Sequence, residues 1–227
     1  MKNFPYFLQA FLLIFLASCS SQNKETQTTN TDSTAVDTTQ IDAAYLCVPY
    51  QQFGKILPTH TLQDLETIFG KENIGVDSLF AEGTYVGLQT VIFKGKPEEV
   101  FVSWQEQEQP FLRILQVITA QDGSPYKTKE GLSSASNLND LVKANDGKVL
   151  SFSGFDWDYG GSCCEGFSEK LKGLGFNLEF AEPQNPLTDE ERSSISGDQT
   201  VRSDNPVFQK NTVNVLEMRV SLNQYQE

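Results

Sequence analysis

A short helix is predicted by the sequence TLQDLETIFGK at residues 61–71, and a degenerate copy, NLNDLVKANDGK, follows at residues 137–148. Each copy opens with a residue that favours the helix N-cap, Thr61 or Asn137, and carries an aspartate three positions later that can accept from free backbone amides. Apolar residues recur at helical spacing on one face of each copy. Both copies then reach a glycine, the residue type that most often ends a helix in the left-handed conformation. The chain therefore contains two predicted short helices.

Strand-like sequence follows each predicted helix. Runs rich in β-branched and aromatic residues occupy 84–93, 100–105, 111–119, 148–155, 175–180 and 212–222. A helix followed by antiparallel strands, twice over, predicts an α+β domain in which two short helices pack on one face of an antiparallel sheet. We place this single domain at residues 45–227, as two degenerate helix-then-strands repeats at about 45–122 and 123–227.

Two resemblances to known proteins rest on these segments. Residues 61–70, in which a threonine–leucine start leads to Phe-Gly, and the partial copy at 137–147 resemble the β-lactamase-inhibitor-protein-like architecture, which a small outer-membrane assembly lipoprotein shares. The longer pattern of Leu-x-Asp-Leu, Gly-Lys and then FSGFDWDYGG at residues 152–161 looks like an uncharacterised, Bacteroidetes-like family of envelope lipoproteins. That second resemblance implies an envelope location and no known activity.

The N-terminus has the parts of a secretory signal, with Lys2 before an apolar run at residues 7–16 and small residues before Cys19. An apolar run of about 10 residues is too short to cross a bilayer, which needs roughly 20. Leu16-Ala17-Ser18-Cys19 resembles the lipobox of bacterial lipoproteins, which implies removal of residues 1–18 and lipidation of Cys19. The expected location is the outer membrane facing the periplasm, with the cell surface as an alternative. An ordinary signal peptide with an incidental cysteine is the other interpretation.

Residues 19–44 are predicted to form a lipidated, disordered tether. Nearly all of residues 20–40 are small or polar, and such a segment cannot bury enough apolar surface to offset its ordering entropy. As a flexible coil it would span roughly 25 Å on average.

The chain is strongly acidic, with 30 acidic residues against 17 basic ones and a formal net charge of −13. Such a surface repels nucleic acid, so we expect no nucleic-acid partner.

Three cysteines remain once Cys19 is assigned to lipid. An oxidising compartment permits disulfides, so Cys47 could pair with Cys163 or Cys164, or the adjacent Cys163 and Cys164 could pair with each other. The sequence has no Cys-x-x-Cys motif and no basic residue beside the pair, and a basic neighbour is what lowers a thiol pKa. We therefore expect a structural disulfide or inert buried thiols, without redox chemistry.

The most distinctive local cluster is Asp156, Trp157, Asp158 and Tyr159, followed by two glycines. One interpretation is a binding site at a strand end, with the two aromatic rings on one side and the two carboxylates on the other, since exposed aromatic residues are typical of binding hot spots. The alternative is structural: Trp157 fills the core and the glycines form the turn.

Little in the sequence supports a catalytic or metal-binding function. Paired carboxylates are the pattern of a glycosidase, but 30 acidic residues produce such pairs by chance. The single histidine, His60, has no serine in a nucleophile-elbow sequence, and no spacing fits a zinc or helix–loop–helix calcium site. We expect no catalytic residues, metal or cofactor, and we read residues 182–206 as a long solvated loop that could serve in recognition.

The function predicted from the sequence is a membrane-anchored, non-enzymatic module that binds another envelope protein. The alternative hypothesis is a small-molecule or glycan-binding module, with hydrolytic activity as a variant, centred on residues 156–159.

Overall fold

The computed structural model describes residues 41–181, 183 and 185–224, which belong to one compact unit, Val36–Glu227. The predicted signal peptide, Cys19 and most of the predicted tether lie outside the described residues. Within the described part of the chain, no helix is both long enough and apolar enough to cross a membrane.

Short strands dominate the described residues, and the helices are few and short. The strands are β1 Leu46–Val48, β2 Gln52–Phe53, β3 Ile74–Ala81, β4 Thr84–Ile92, β5 Val100–Trp104, β6 Ile114–Thr119, β7 Lys127–Thr128, β8 Ser151–Ser153, β9 Ser162–Glu165, β10 Leu174–Phe180, β11 Thr200–Arg202 and β12 Val213–Ser221. The helices are α1 Leu62–Phe69, α2 Leu138–Ala144 and α3 Asp189–Ser193, with single 3₁₀ turns at Lys71–Asn73, Glu169–Leu171 and Pro206–Gln209.

The starts of α1 and α2 confirm the predicted caps. The Asp64 backbone N–H donates to Thr61 Oγ1 at 3.3 Å, and the Thr61 backbone N–H donates to Asp64 Oδ2 at 2.8 Å. Asn137 forms the same reciprocal box with the aspartate at the third position of α2. These bonds satisfy amides that have no partner inside the helix.

The two helices end differently. Gly70 caps α1 with φ 84°, as predicted. α2 ends earlier than predicted, at Ala144, and Gly147 follows three residues later with φ 73°. Gly147 therefore belongs to the turn after α2 and does not cap the helix.

Strands from both halves of the chain form one nine-stranded sheet. Its order is β11-β8-β9-β10-β12-β6-β5-β4-β3, and its recorded strand pairs are antiparallel. A separate three-stranded sheet has the order β2-β1-β7, with β1 and β7 parallel. The predicted antiparallel sheet with short helices is confirmed, and strands predominate over helices among the described residues.

The large sheet has one packed face and one open face. Along β12, Met218 and Val220 are fully buried, whereas the alternating Glu217 and Arg219 are partly exposed, because successive side chains of a strand point to opposite faces. We call the side that bears Glu217 and Arg219 the open face. Buried residues of the helices and the small sheet share one hydrophobic core with Met218 and Val220: Leu65, Leu138, Leu141, Cys47 and Phe53.

Several sequence predictions need correction. The predicted strand at 148–155 shrinks to β8, Ser151–Ser153, and β3 was not predicted because its sequence mixes polar and apolar residues without clean alternation. The segment predicted as a solvated loop, 182–206, contains α3 and β11, and its Ile195 and Val201 are buried in the core.

Candidate functional site

The Asp156–Tyr159 cluster lies in the turn that joins β8 to β9. Asp156 has a positive φ of 65°, and the segment is bent rather than extended, so the strand alternation assumed for its carboxylates and aromatic rings does not apply. The rings of Trp157 and Tyr159 instead pack edge-to-face, with centroids 5.4 Å apart.

Most polar groups of this turn are used in contacts within the chain. The Trp157 indole N–H donates to the Gly154 carbonyl at 2.8 Å, and the side chain is half-buried. The Asp156 carboxylate accepts from Ser196 Oγ at 2.7 Å and lies 4.0 Å from the Arg192 guanidinium. These bonds hold the turn against the segment around α3.

Gly161 ends the turn at a point that admits no side chain. Its φ is 74°, and a Cβ there would collide with the carbonyl of Leu178 on β10. The Leu178 backbone N–H donates to the Gly161 carbonyl at 2.9 Å. Because residue 161 has no side chain, the turn can approach β10 closely enough for a backbone hydrogen bond.

Tyr159 connects this turn to a distant hairpin. Its hydroxyl donates to Glu82 Oε1 at 2.6 Å, although the ring is largely exposed. That hydrogen bond to a carboxylate is the main cause that raises the pKa of Tyr159. Glu82 occupies the tip of the β3–β4 hairpin.

The Tyr159–Glu82 contact requires strong curvature. Four strands separate β4 from β9, so a flat sheet would hold the two strands about 24 Å apart. The hairpin has features of a bend, with a register shift between Leu79 and Phe80 and a φ of 142° at Gly87. Bulges and glycines of this kind are common where strands bend.

The β3–β4 hairpin exposes large apolar side chains. Between 36 and 59% of each of five side chains is accessible, and we call this set the hairpin patch: Val76, Leu79, Phe80, Tyr85 and Val86. β3 is also an edge strand, since β4 is its only strand neighbour among the described residues. The sequence missed this surface because no motif marks it.

The structure joins Cys163 to Cys164 by a disulfide within β9 and leaves Cys47 as a free thiol. It therefore has the adjacent pairing rather than a bond from Cys47 to either residue. Cys47 is fully buried in the core, and burial raises the pKa of its thiol far above the ordinary value. Cys163 and Cys164 are only partly buried.

A basic residue that is distant in the sequence lines the same cavity as the cysteine pair. A cavity of about 280 Å³ is lined by residues of β8, β9, β11 and β12, including Cys163, Cys164, Glu165 and Arg219. We call it the Arg219 cavity. Arg219 lies on β12, far from the two cysteines in the sequence, so no local sequence pattern indicated that it lines their cavity.

Gly175 explains how Arg219 reaches this cavity. Gly175 on β10 pairs with Arg219 on β12, and the next residue of β10, Phe176, pairs with Cys163 on β9. Cross-strand partners share a face of the sheet. The Arg219 side chain lies over Gly175, with Nε 4.0 Å from the position that a Cβ would take.

Glu217 is the ionic partner of Arg219, with Oε1 and Nε 2.8 Å apart. Burial raises the pKa of Glu217, and the nearby guanidinium opposes that rise without cancelling it. Asn177 Oδ1 is a buried atom that finds no hydrogen-bond partner among the described residues, and Arg219 Nε contacts Glu217 without the geometry of a hydrogen bond. The open face therefore carries polar groups that are not fully used within the chain.

Five cavities of about 230 to 540 Å³ occur on the described surface, and residues 156–159 line none of these five. No known protein family, curated protein or solved structure matches this chain.

Proposed function

We propose that this chain is a lipid-anchored, non-enzymatic module of the cell envelope that binds another envelope protein through the β3–β4 hairpin. The anchor would be Cys19, whose lipobox context is the sequence evidence for an outer-membrane location. The observation that carries the binding proposal is the hairpin patch on an edge strand.

The hairpin patch combines two features that favour a protein partner. Contiguous exposed apolar side chains commonly mark interaction sites, and the rings of Phe80 and Tyr85 lie edge-to-face with centroids 6.0 Å apart. An edge strand also offers unpaired backbone N–H and C=O groups to which a partner strand can add. Side-chain burial and backbone pairing would then act together at one place.

The partner strand would meet an acidic rim. Glu82 occupies the hairpin tip, and Glu108 accepts a hydrogen bond from the Tyr85 hydroxyl at 2.6 Å. Asp77 within β3 is paired with Lys94 at 3.4 Å, so the two glutamates carry the acidic character of the rim. Because complementary charge steers association, basic residues are expected to flank the binding segment of the partner.

The strand order supports the two-repeat architecture as part of this proposal. β3 to β6 follow α1 and run from one sheet edge to the centre, whereas β8, β9, β10 and β12 follow α2 and run from near the other edge to the centre. The last strands of the two series, β6 and β12, pair with each other. Two degenerate repeats would produce this order and would place both helices on the packed face.

The alternative site at residues 156–159 receives less support. Asp156, Trp157 and Tyr159 use their polar groups in contacts within the chain. A ligand would have to replace these bonds, so a structural role for the turn accounts for the geometry more simply.

Site-specific photocross-linking tests the proposal. A photoreactive amino acid would replace Phe80, which is 59% exposed, or Leu216, which is 47% exposed on β12 and serves as the matched control. The full-length chain would be cross-linked in its native envelope, and a Cys19→Ala version would show whether the adduct needs the anchor. We expect a discrete protein adduct from position 80 and none from position 216. Equal adducts from both positions, or none from either, would contradict the proposal.

A further inference from the structure

We propose that Cys163–Cys164 is a thiol–disulfide exchange site, at which Arg219 stabilises the thiolate that forms when a dithiol reduces the bond. The site lies on β9 and β12, away from the hairpin patch, so this inference does not depend on the proposed function.

A shared cavity and the pairing of neighbouring strands provide the geometry. Arg219 on β12 pairs with Gly175 on β10, and the next residue of β10, Phe176, pairs with Cys163 on β9. The backbones of β12 and β9 are about 10 Å apart at normal strand spacing. A side chain at the middle position would separate them, but glycine leaves the surface between them open. Arg219 therefore enters the cavity that Cys163 and Cys164 line.

Arg219 is suited to this role because its charge is permanent and only partly neutralised. A guanidinium stays protonated at every physiological pH, and a nearby cation lowers the pKa of a thiol. Its side chain is 33% exposed, and its Nε lies 2.8 Å from Glu217 Oε1 without the geometry of a hydrogen bond.

Two carboxylates oppose this effect. Glu165 lines the same cavity but is exposed, so water screens its charge. Glu217 contacts Arg219 directly and is partly buried, and burial disfavours its ionised form. We therefore expect the electrostatic potential at Cys164 to be weakened by these carboxylates but still positive.

The exchange itself is balanced in atoms and electrons. A thiolate of the incoming dithiol bonds to the sulfur of Cys163, and the electron pair of the broken S–S bond leaves on Cys164, which lines the same cavity as Arg219. The second thiolate of the dithiol then attacks the other dithiol sulfur, which is bonded to Cys163 in the mixed disulfide, and Cys163 leaves as a thiolate. The dithiol ends as a disulfide, and its two protons and two electrons end on the two cysteine thiols.

The test measures the reduction of the full-length protein by dithiothreitol at neutral pH. Samples would be quenched with an alkylating reagent, and modification of Cys163 and Cys164 followed by mass spectrometry. Cys47 is fully buried and reports folding, since it should stay unmodified in every folded variant. The thiolate absorbance of the reduced protein gives the cysteine pKa independently.

Arg219→Gln is the main variant and Arg219→Lys the conservative one. Arg113→Gln is the matched control, because Arg113 pairs with Glu106 at 2.9 Å much as Arg219 pairs with Glu217. We expect Arg219→Gln to slow reduction about three- to tenfold and to raise the thiol pKa, with partial recovery in Arg219→Lys and no change in Arg113→Gln.

Gly175→Val provides a second route to the same result. Alanine fits at this position, since its Cβ would lie 3.6 Å from Arg219 Cβ, but the larger valine should displace the guanidinium and slow reduction while Gly175→Ala does not. Reduction of Arg219→Gln and Gly175→Val at the parent rate would overturn the proposal. Isolation of the parent with two free thiols from an oxidising compartment would overturn it as well.

Discussion

Replacing Phe80 by serine should weaken partner binding more than it weakens the fold. Phe80 is 59% exposed, and a phenylalanine side chain presents about 200 Å², so about 120 Å² is free to be buried by a partner. At about 25 cal/mol per Å² this area is worth about 3 kcal/mol, or roughly a hundredfold in Kd. The area already buried in the fold, about 80 Å², corresponds to about 2 kcal/mol of unfolding free energy.

The assay compares Phe80→Ser with Leu216→Ser, using the protein that cross-links at position 80 as ligand. Titration calorimetry gives the Kd, and urea unfolding gives the stability of each variant. Leu216→Ser should bind like the parent, since Leu216 lies on β12, outside the hairpin patch. Parent-like binding by Phe80→Ser, or equal losses in the two variants, would refute the reasoning.

Three further predictions concern stability, each measured by chemical unfolding. Gly161→Ala should lower the free energy of unfolding by at least about 2 kcal/mol, because the positive φ is strained for alanine and the new Cβ would meet a β10 carbonyl. Gly123→Ala is the control: it has the same φ of 74° but open space around it, and it should lower the free energy of unfolding by about 1 kcal/mol. Equal losses in the two variants would contradict the steric argument. Leu141→Ala should cost roughly 2–5 kcal/mol, since Leu141 is fully buried in α2, and a loss below about 1 kcal/mol would show that α2 contributes little to the core. Burial raises the pKa of Glu217, so the folded state holds its proton more tightly than the unfolded state does, and stability should fall as pH rises from the ordinary glutamate range through the raised pKa. Glu217→Gln should lack this fall; a parent that instead gains stability over that window would show that the pair with Arg219 outweighs burial.

The sequence predicted those elements whose causes are local. Thr61 and Asn137 cap their helices through residues three positions away, and β4, β5, β10 and β12 have apolar patterns that bury one face wherever the strand lies. The predicted strand at 148–155 failed in part because backbone bonds from Gly154 and Phe155 lead to the segment near Ile195 instead of a continued ladder. β3 was missed since three of its apolar side chains, Val76, Leu79 and Phe80, remain exposed, so its pattern does not mark a core face.

The candidate sites depend on contacts that no local pattern encodes. The Tyr159–Glu82 hydrogen bond joins residues 77 positions apart, and its existence depends on the curvature of the whole sheet. The cavity that Arg219 shares with the cysteine pair depends on the pairing of β12 with β10 and of β10 with β9, and on a glycine in the middle strand. Sequence reasoning therefore identified the cysteine pair and the aromatic turn but could not identify their neighbours.

Hydrogen exchange of the complex with its partner tests the central proposal most directly. If the partner adds a strand to β3, backbone amides within residues 74–86 should exchange more slowly in the complex than in the free protein, while amides of β12 should be unchanged. Protection confined to residues 154–161, with none in the hairpin, would contradict the account and favour a binding site at the aromatic turn.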